Sequence, residues 1–140
     1  MEIEKNMGNV LHGSIKANYT PRSKLSAKIW DMLWEIFPHN VIFGEHYKFY
    51  KGTRLYFDFL IKEYNILIEV QGRQHYEFIP HFHEDRNDFL ESKKRDNLKR
   101  EYCQKKDFTL VEIRFDDKIE TSKDLLEKID NALDGGKNDR

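Results

Sequence analysis

The stretch Arg54–Tyr76, RLYFDFLIKEYNILIEVQGRQHY, decides the fold. It reads as two strands joined by a tight turn, with Asp58, Glu69 and Gln71 set inside an otherwise apolar run. Tyr56, Asp58 and Leu60 alternate with Leu55, Phe57, Phe59 and Ile61, and Asn65, Leu67, Glu69 and Gln71 alternate with Ile66, Ile68 and Val70. A period of two places the branched and aromatic side chains on one sheet face and the two acids and the amide on the other. With the turn centred on Glu63-Tyr64, Asp58 lies directly across from Glu69. Facing positions hold their Cβ atoms about 4.5–5.5 Å apart, where like charges repel. Such a pair is readily kept if a divalent cation sits between the carboxylates or one of them holds a proton. A loop one residue longer or shorter would break this register.

Upstream of the hairpin, Lys51-Gly52-Thr53 reads as a turn and Val41–Tyr50 as a strand with imperfect alternation. Before that strand, Ser23–Phe37 carries Leu25, Ile29, Met32, Leu33 and Ile36 at helical spacing, with Trp30 and Trp34 widening the stripe and Pro38-His39-Asn40 ending it. Pro21 fits the start of that helix. Residues 1–20 have no sustained period and read as an arm. Downstream, Gly72–Asn87 reads as a loop, and Asp88–Lys106 as a lysine- and arginine-rich helix. Phe108–Phe115 alternates as a strand. Thr121 is the expected N-cap of a last helix, with Asp124 as the acid of a capping box. Leu125, Leu126, Ile129 and Leu133 line that helix, and Gly135-Gly136 is expected to stop it. The resulting order α, β, β, β, α, β, α predicts an α/β fold, a mixed sheet of about four strands with helices against it. One domain over residues 21–135 and a frayed tail over 136–140 complete the expected organisation.

The chain has 140 residues and a formal net charge of −1, so charge alone points to no nucleic-acid partner. Its single cysteine, Cys103, excludes an internal disulfide and a cysteine-type zinc cluster. Cys103 reads as a small buried residue, because no fixed base is visible near it. No apolar run is long enough to cross a membrane, and MEIEKNMGNVLHG does not resemble a secretory signal. These features predict a cytoplasmic protein with no membrane partner.

The candidate chemistry converges from the hairpin and from the basic helix. Asp58 and Glu69, with Asp96 on the sheet-facing side of the helix, are oxygen donors suited to a hard cation such as Mg²⁺. A buried acid at position 96 needs a partner to offset its desolvation. His75, just past the second strand, titrates near neutral pH and is a candidate proton carrier. His81 and His83 in HFHED lack a second ligand cluster and read as loop residues. Lys93, Lys94, Arg95 and Lys99 form the main basic surface, to which Arg54 and Arg73 add. A lysine-rich helix is usually a solvated face, but beside a phosphodiester-cutting site such side chains hold phosphates.

The run FDFLIKEYNILIEVQGRQHY, followed by RDNLKREYC and TLVEIRF, resembles the PD-(D/E)XK nuclease superfamily over roughly residues 23–115. Within it, the chain is most similar to the branch that includes very-short-patch-repair-type endonucleases. The resemblance implies a restriction-endonuclease-like sheet whose hairpin supplies an aspartate and then a Glu-x-Lys. Asp58 matches the aspartate, and Glu69-Val70-Gln71 matches the triplet with Gln in place of Lys. The repair-type branch adds a histidine and a helical aspartate, which correspond here to His75 and Asp96. The resemblance implies cleavage of DNA phosphodiester bonds with Mg²⁺ (Mn²⁺ as a substitute), and a bacterial or phage source.

Two departures qualify this. Gln71 cannot act as the cationic lysine, which shifts proton transfer toward His75. Ser26 stands where relatives often carry a glutamate, in a Ser-x-x-Glu pattern on the first helix. The expected function is a metal-dependent endodeoxyribonuclease in repair, recombination or mobile-element processing. Its ion is held by Asp58 and Glu69, and Gln71 and His75 orient or deprotonate water. The small size implies nicking, a homodimer or a recruiting protein. The alternative is a non-cleaving nucleic-acid-binding or partner-binding protein that keeps the nuclease fold.

Overall fold

The computed structural model describes residues 19–73 and 86–138. Among these, the elements run α1 (Lys24–Ile36), β1 (Ile42–Tyr50), β2 (Thr53–Ile61), β3 (Ile66–Gln71), α2 (Arg86–Lys106), β4 (Thr109–Arg114) and α3 (Ser122–Asn138). The strands form one sheet in the order β1-β2-β3-β4. Its first two junctions are antiparallel and the last is parallel, with α2 as the crossover. This is the expected mixed sheet with helices against it.

Local chemistry sets the element ends. Ser23 caps α1 from an extended backbone, its Oγ accepting the Ser26 N–H at 3.0 Å. Pro38 follows the last turn of α1 and cannot donate into it. Lys51 and Gly52 take left-handed φ values of 49° and 76°, which suit a two-residue hairpin turn. Between β2 and β3, Lys62–Tyr64 forms one 3₁₀ turn that Asn65 leaves at φ 52°, ψ 45°. The Glu63 carboxylate ties this turn to the start of β1 by accepting the Val41 N–H at 3.0 and 3.1 Å. The capping box of α3 forms as expected: the Asp124 N–H donates to Thr121 Oγ1, and the Thr121 N–H donates to Asp124 Oδ2.

One expectation is corrected at the end of α3. The helix runs through Gly135 and Gly136 to Asn138. Glycine retains its N–H and C=O, so two glycines weaken a helix by about 1 kcal/mol each without forbidding it.

The sheet has two cores rather than one. Phe59, Ile61, Ile66, Ile68, Val111 and Ile113 pack with Ile29, Trp30 and Leu33 of α1 and Leu125 and Ile129 of α3. Trp30 stacks on Phe59 with ring centroids 5.5 Å apart. On the opposite face, Leu55, Phe57, Leu60 and Leu67 pack with Tyr102 and Cys103 of α2. The face expected to be polar is therefore a second apolar layer wherever α2 covers it.

These memberships expose a kink. Phe57 and Phe59 share parity yet belong to opposite cores. In β1, Ile42 belongs to the α1 side and Phe43 to the α2 side, whereas Tyr50 packs on the α2 side and Lys48 reaches the Phe108 ring there. Both strands thus reverse face at one level, Glu45 in β1 and Asp58 in β2. Glu45 has the left-handed φ of 53° that produces such a reversal. On the α1 side of this level, Gly44 lets the Tyr19 ring lie against the backbone. A Cβ there would come within 2.4 Å of that ring.

Candidate active site

The β2–β3 ladder pairs Ile61 with Ile66, Leu60 with Leu67 and Phe59 with Ile68. This is the register anticipated for Asp58 facing Glu69. At that next level the backbone ladder gives way to side chains. The Asp58 N–H donates to Glu69 Oε1 at 3.2 Å, and the Val70 N–H donates to Asp58 Oδ2 at 2.7 Å. Each carboxylate is held by the backbone of the neighbouring strand. Beyond this level the described residues of β2 pair with β1, and those of β3 pair with β4. The sheet therefore forks, and the two acids sit in its crotch.

The fork opens into a cleft of about 660 Å³ walled by Asp58, Glu69, Glu45, Arg22, Arg95 and Lys99, among others. Arg54 also lines it, so four cations meet three carboxylates. That excess of positive charge favours an anionic occupant. Lys99 is the most enclosed of the four. Its ammonium lies 2.8 Å from Glu69 Oε2, with side-chain exposures of 13% and 6% for the two partners. It also sits 5.6 Å from the centre of the Phe57 ring. Such a buried charge pair is held by mutual attraction and by the Asp58 N–H on the other Glu69 oxygen. Arg22, at the entrance to α1, pairs with Glu45. That hydrogen bond, chiefly, raises the Arg22 pKa above its usual value. Burial first, then Asp58 and Glu45, push the Tyr19 hydroxyl up to about 12.

The residues anticipated for the site separate into groups. Asp58 and Glu69 converge as expected. Gln71 is buried at 2% exposure, and its Nε2 donates to Glu112 Oε1 at 2.9 Å. Arg100 grips the same Glu112 carboxylate at 2.8 to 3.1 Å. Gln71 thus joins a Gln71–Glu112–Arg100 network and is not among the residues that wall the cleft. Asp96 is buried at 6% exposure on α2, on the side that also carries Lys99 and Cys103. His75 lies outside the described residues, as do His81 and His83.

The basic surface divides too. Arg54 and Arg95 line the cleft. Lys93 lies over the Phe89 ring and Lys94 pairs with Glu91, both away from it, while Arg73 is exposed next to Gly72 of the cleft wall. Lys99, expected on the solvated face, is instead inside. Cys103 is buried, and that burial, helped by Glu112 and Glu69, pushes its thiol up to about 12 and disfavours the thiolate.

Tyr19, Arg22 and Glu45 escaped the sequence reading. Arg22 carried one usable signal, its place directly before the Ser23 cap. Glu45 carried none, since a left-handed glutamate inside a strand has no sequence mark. Ser26 is buried on the cleft wall and accepts from the Ser23 hydroxyl at 3.1 Å. Glu45 brings a carboxylate into the same cleft from β1.

Among the described residues, no three His, Cys, Asp or Glu side chains are grouped to hold a metal. Two carboxylates suffice for Mg²⁺, which takes one or two and keeps several waters. The all-oxygen donor pair of Asp58 and Glu69 fits that chemistry, with Lys99 competing for one Glu69 oxygen. No described helix is long and apolar enough to cross a membrane.

No family model matches the chain, and no solved structure matches it significantly. Two viral proteins are similar to part of it. Uncharacterized protein 307L of Invertebrate iridescent virus 6 is 39% identical over 66 residues, which are 47% of this chain and 31% of that protein. Uncharacterized protein 094L of Frog virus 3 (isolate Goorha) is 40% identical over 65 residues, 46% of this chain and 42% of that protein. The chain thus spans less than half the length of these curated relatives.

Proposed function

We propose that the fork is the active site of a metal-dependent endonuclease that hydrolyses DNA phosphodiester bonds. One observation carries this reading. Two acids on neighbouring strands are locked by reciprocal side chain–backbone hydrogen bonds in a cleft that also holds a part-buried lysine. Asp58 and Glu69 would hold the Mg²⁺, which when bound lowers the pKa of water and stabilises charge on phosphate.

The chain's own residues do the rest. Lys99 supplies, from α2, the ammonium that Gln71 cannot supply from β3. It restrains Glu69 and presents positive charge to a phosphate entering the cleft. Arg22 and Arg95 draw in the flanking phosphates, at a cost in affinity as salt rises. His75, four residues beyond β3, is the proposed proton carrier, with Asp96 supporting it or the ion. DNA is the proposed partner, with a second copy or a recruiting protein completing its specificity.

A supercoiled plasmid with Mg²⁺ or Mn²⁺ tests this. Nicked or linear product should appear, vanish with EDTA, and fall by about a hundredfold or more in Asp58→Ala. The second reading, a non-cleaving nucleic-acid-binding module, is favoured by one contact: the Lys99 ammonium already pairs with a Glu69 oxygen. Binding with no product under either metal, for plasmid, branched and mismatched DNA alike, would favour it.

A further inference from the structure

Beyond the kink, no described helix covers the α1 side of the outer half of the β1–β2 hairpin. Tyr47, Phe49 and Tyr56 are 48%, 66% and 43% exposed there. Tyr47 faces Tyr56 and Phe49 faces Arg54 across the strand pair. The two tyrosine rings lie 5.7 Å apart, and the Arg54 guanidinium sits 5.3 Å from the Tyr47 ring. The alternate residues Leu55, Phe57 and Tyr50 turn to the other face, against α2. The result is a two-by-two patch of three rings and one guanidinium, with no carboxylate among them. It runs directly into the cleft, because Arg54 and Tyr56 also wall it and Asp58 follows two residues later in β2.

We infer that this patch is a stacking platform for unpaired nucleotides, so that the preferred substrate has a single-stranded segment beside the phosphate in the cleft. Every base offers a π-face, but pairing and stacking within a duplex hide it. Exposed rings on a sheet therefore gain most from bases that are already splayed out. Arg54 both stacks and neutralises phosphate, and the adjoining cleft carries four cations against three carboxylates, which suits a polyanion rather than an acidic or neutral occupant. The position of the cut relative to the platform rests on the endonuclease reading, but the stacking does not.

The test is therefore done without cleavage. Fluorescence anisotropy in EDTA compares a labelled oligothymidylate with a labelled duplex of equal length on the full chain. The single strand should bind at least roughly tenfold more tightly. Tyr47→Ala and Tyr56→Ala should each weaken it roughly 5- to 100-fold, with little effect on the duplex, while Tyr47→Phe and Tyr56→Phe retain binding. Both sites are on the surface, so circular dichroism should stay unchanged. Equal affinity for duplex and single strand, or wild-type binding by both alanine variants, overturns the proposal. So does a sedimentation dimer that Phe49→Ala dissociates while oligothymidylate affinity stays the same, because the patch would then join two copies. The binding assay contains no metal and needs no cleavage, so a failed plasmid assay leaves this result standing.

Discussion

The β2–β3 pair is two structures joined at one level. On the turn side, Phe59, Ile61, Ile66, Leu67 and Ile68 are at most 1% exposed, and backbone bonds hold the strands. On the fork side, two carboxylates take the place of backbone carbonyls and the strands part. Burial of each large apolar side chain contributes about 1.5–3 kcal/mol on the first side. On the second, charges removed from water must be offset by Lys99, Arg22 and backbone donors. The closed half fixes where the acids stand, and the open half leaves their remaining surface toward the cleft. Stability and chemistry are thus separated by a single residue step.

Substitutions can break that separation or sharpen it. Phe59→Ala removes the ring stacked on Trp30 and should cost about 3–5 kcal/mol in urea unfolding. A loss under about 1 kcal/mol would mean that the closed half is not the anchor. Lys99→Met strands the Glu69 carboxylate in a site with 6% exposure and should cost about 3 kcal/mol. Adding Glu69→Gln should recover most of that stability but no cleavage. If the double variant stays as unstable as the single one, the pair is not what balances the fork. Asn65→Ala removes the short polar side chain that makes a left-handed conformation tolerable and should cost about 1 kcal/mol, whereas Asn65→Gly should stay within a few tenths.

The last effect is one of pH. The folded Cys103 thiol, at about 12, lies above its ordinary 9.0, so the folded state keeps a proton that the unfolded chain releases. Its contribution is fully present below about pH 9 and is lost as pH rises toward 12. Tyr19 adds a loss of the same sign above its ordinary 10.0. Melting temperatures should therefore fall in that window, and less steeply for Cys103→Ala than for the parent. Parallel curves would show that Cys103 titrates alike in both states.

How far the sequence could be read follows the same division. The facing of Asp58 and Glu69 was legible because turn length and a period of two determine register. The split between cores was not, because Leu55, Phe57, Phe59 and Ile61 alternate as if one face continued through them. Nothing in the residue types announces that the face reverses at Asp58. Lys99 was hidden for a different reason. It sits among lysines and arginines that are solvated, and only its helical spacing from Asp96 and Cys103 set it apart. Gly135-Gly136 misled because a stop signal is a preference of about 1 kcal/mol per residue, not a barrier.

The left-handed turn at Glu45 also bears on the edge of the sheet. Among the described residues β1 is an edge strand, and its outer row of amides and carbonyls would ordinarily invite another chain to add on. Its ladder with β2 is interrupted at Glu45 into runs of three and five residues. Neither run offers a straight template of useful length, so the bend that shapes the cleft also guards the sheet against unwanted extension.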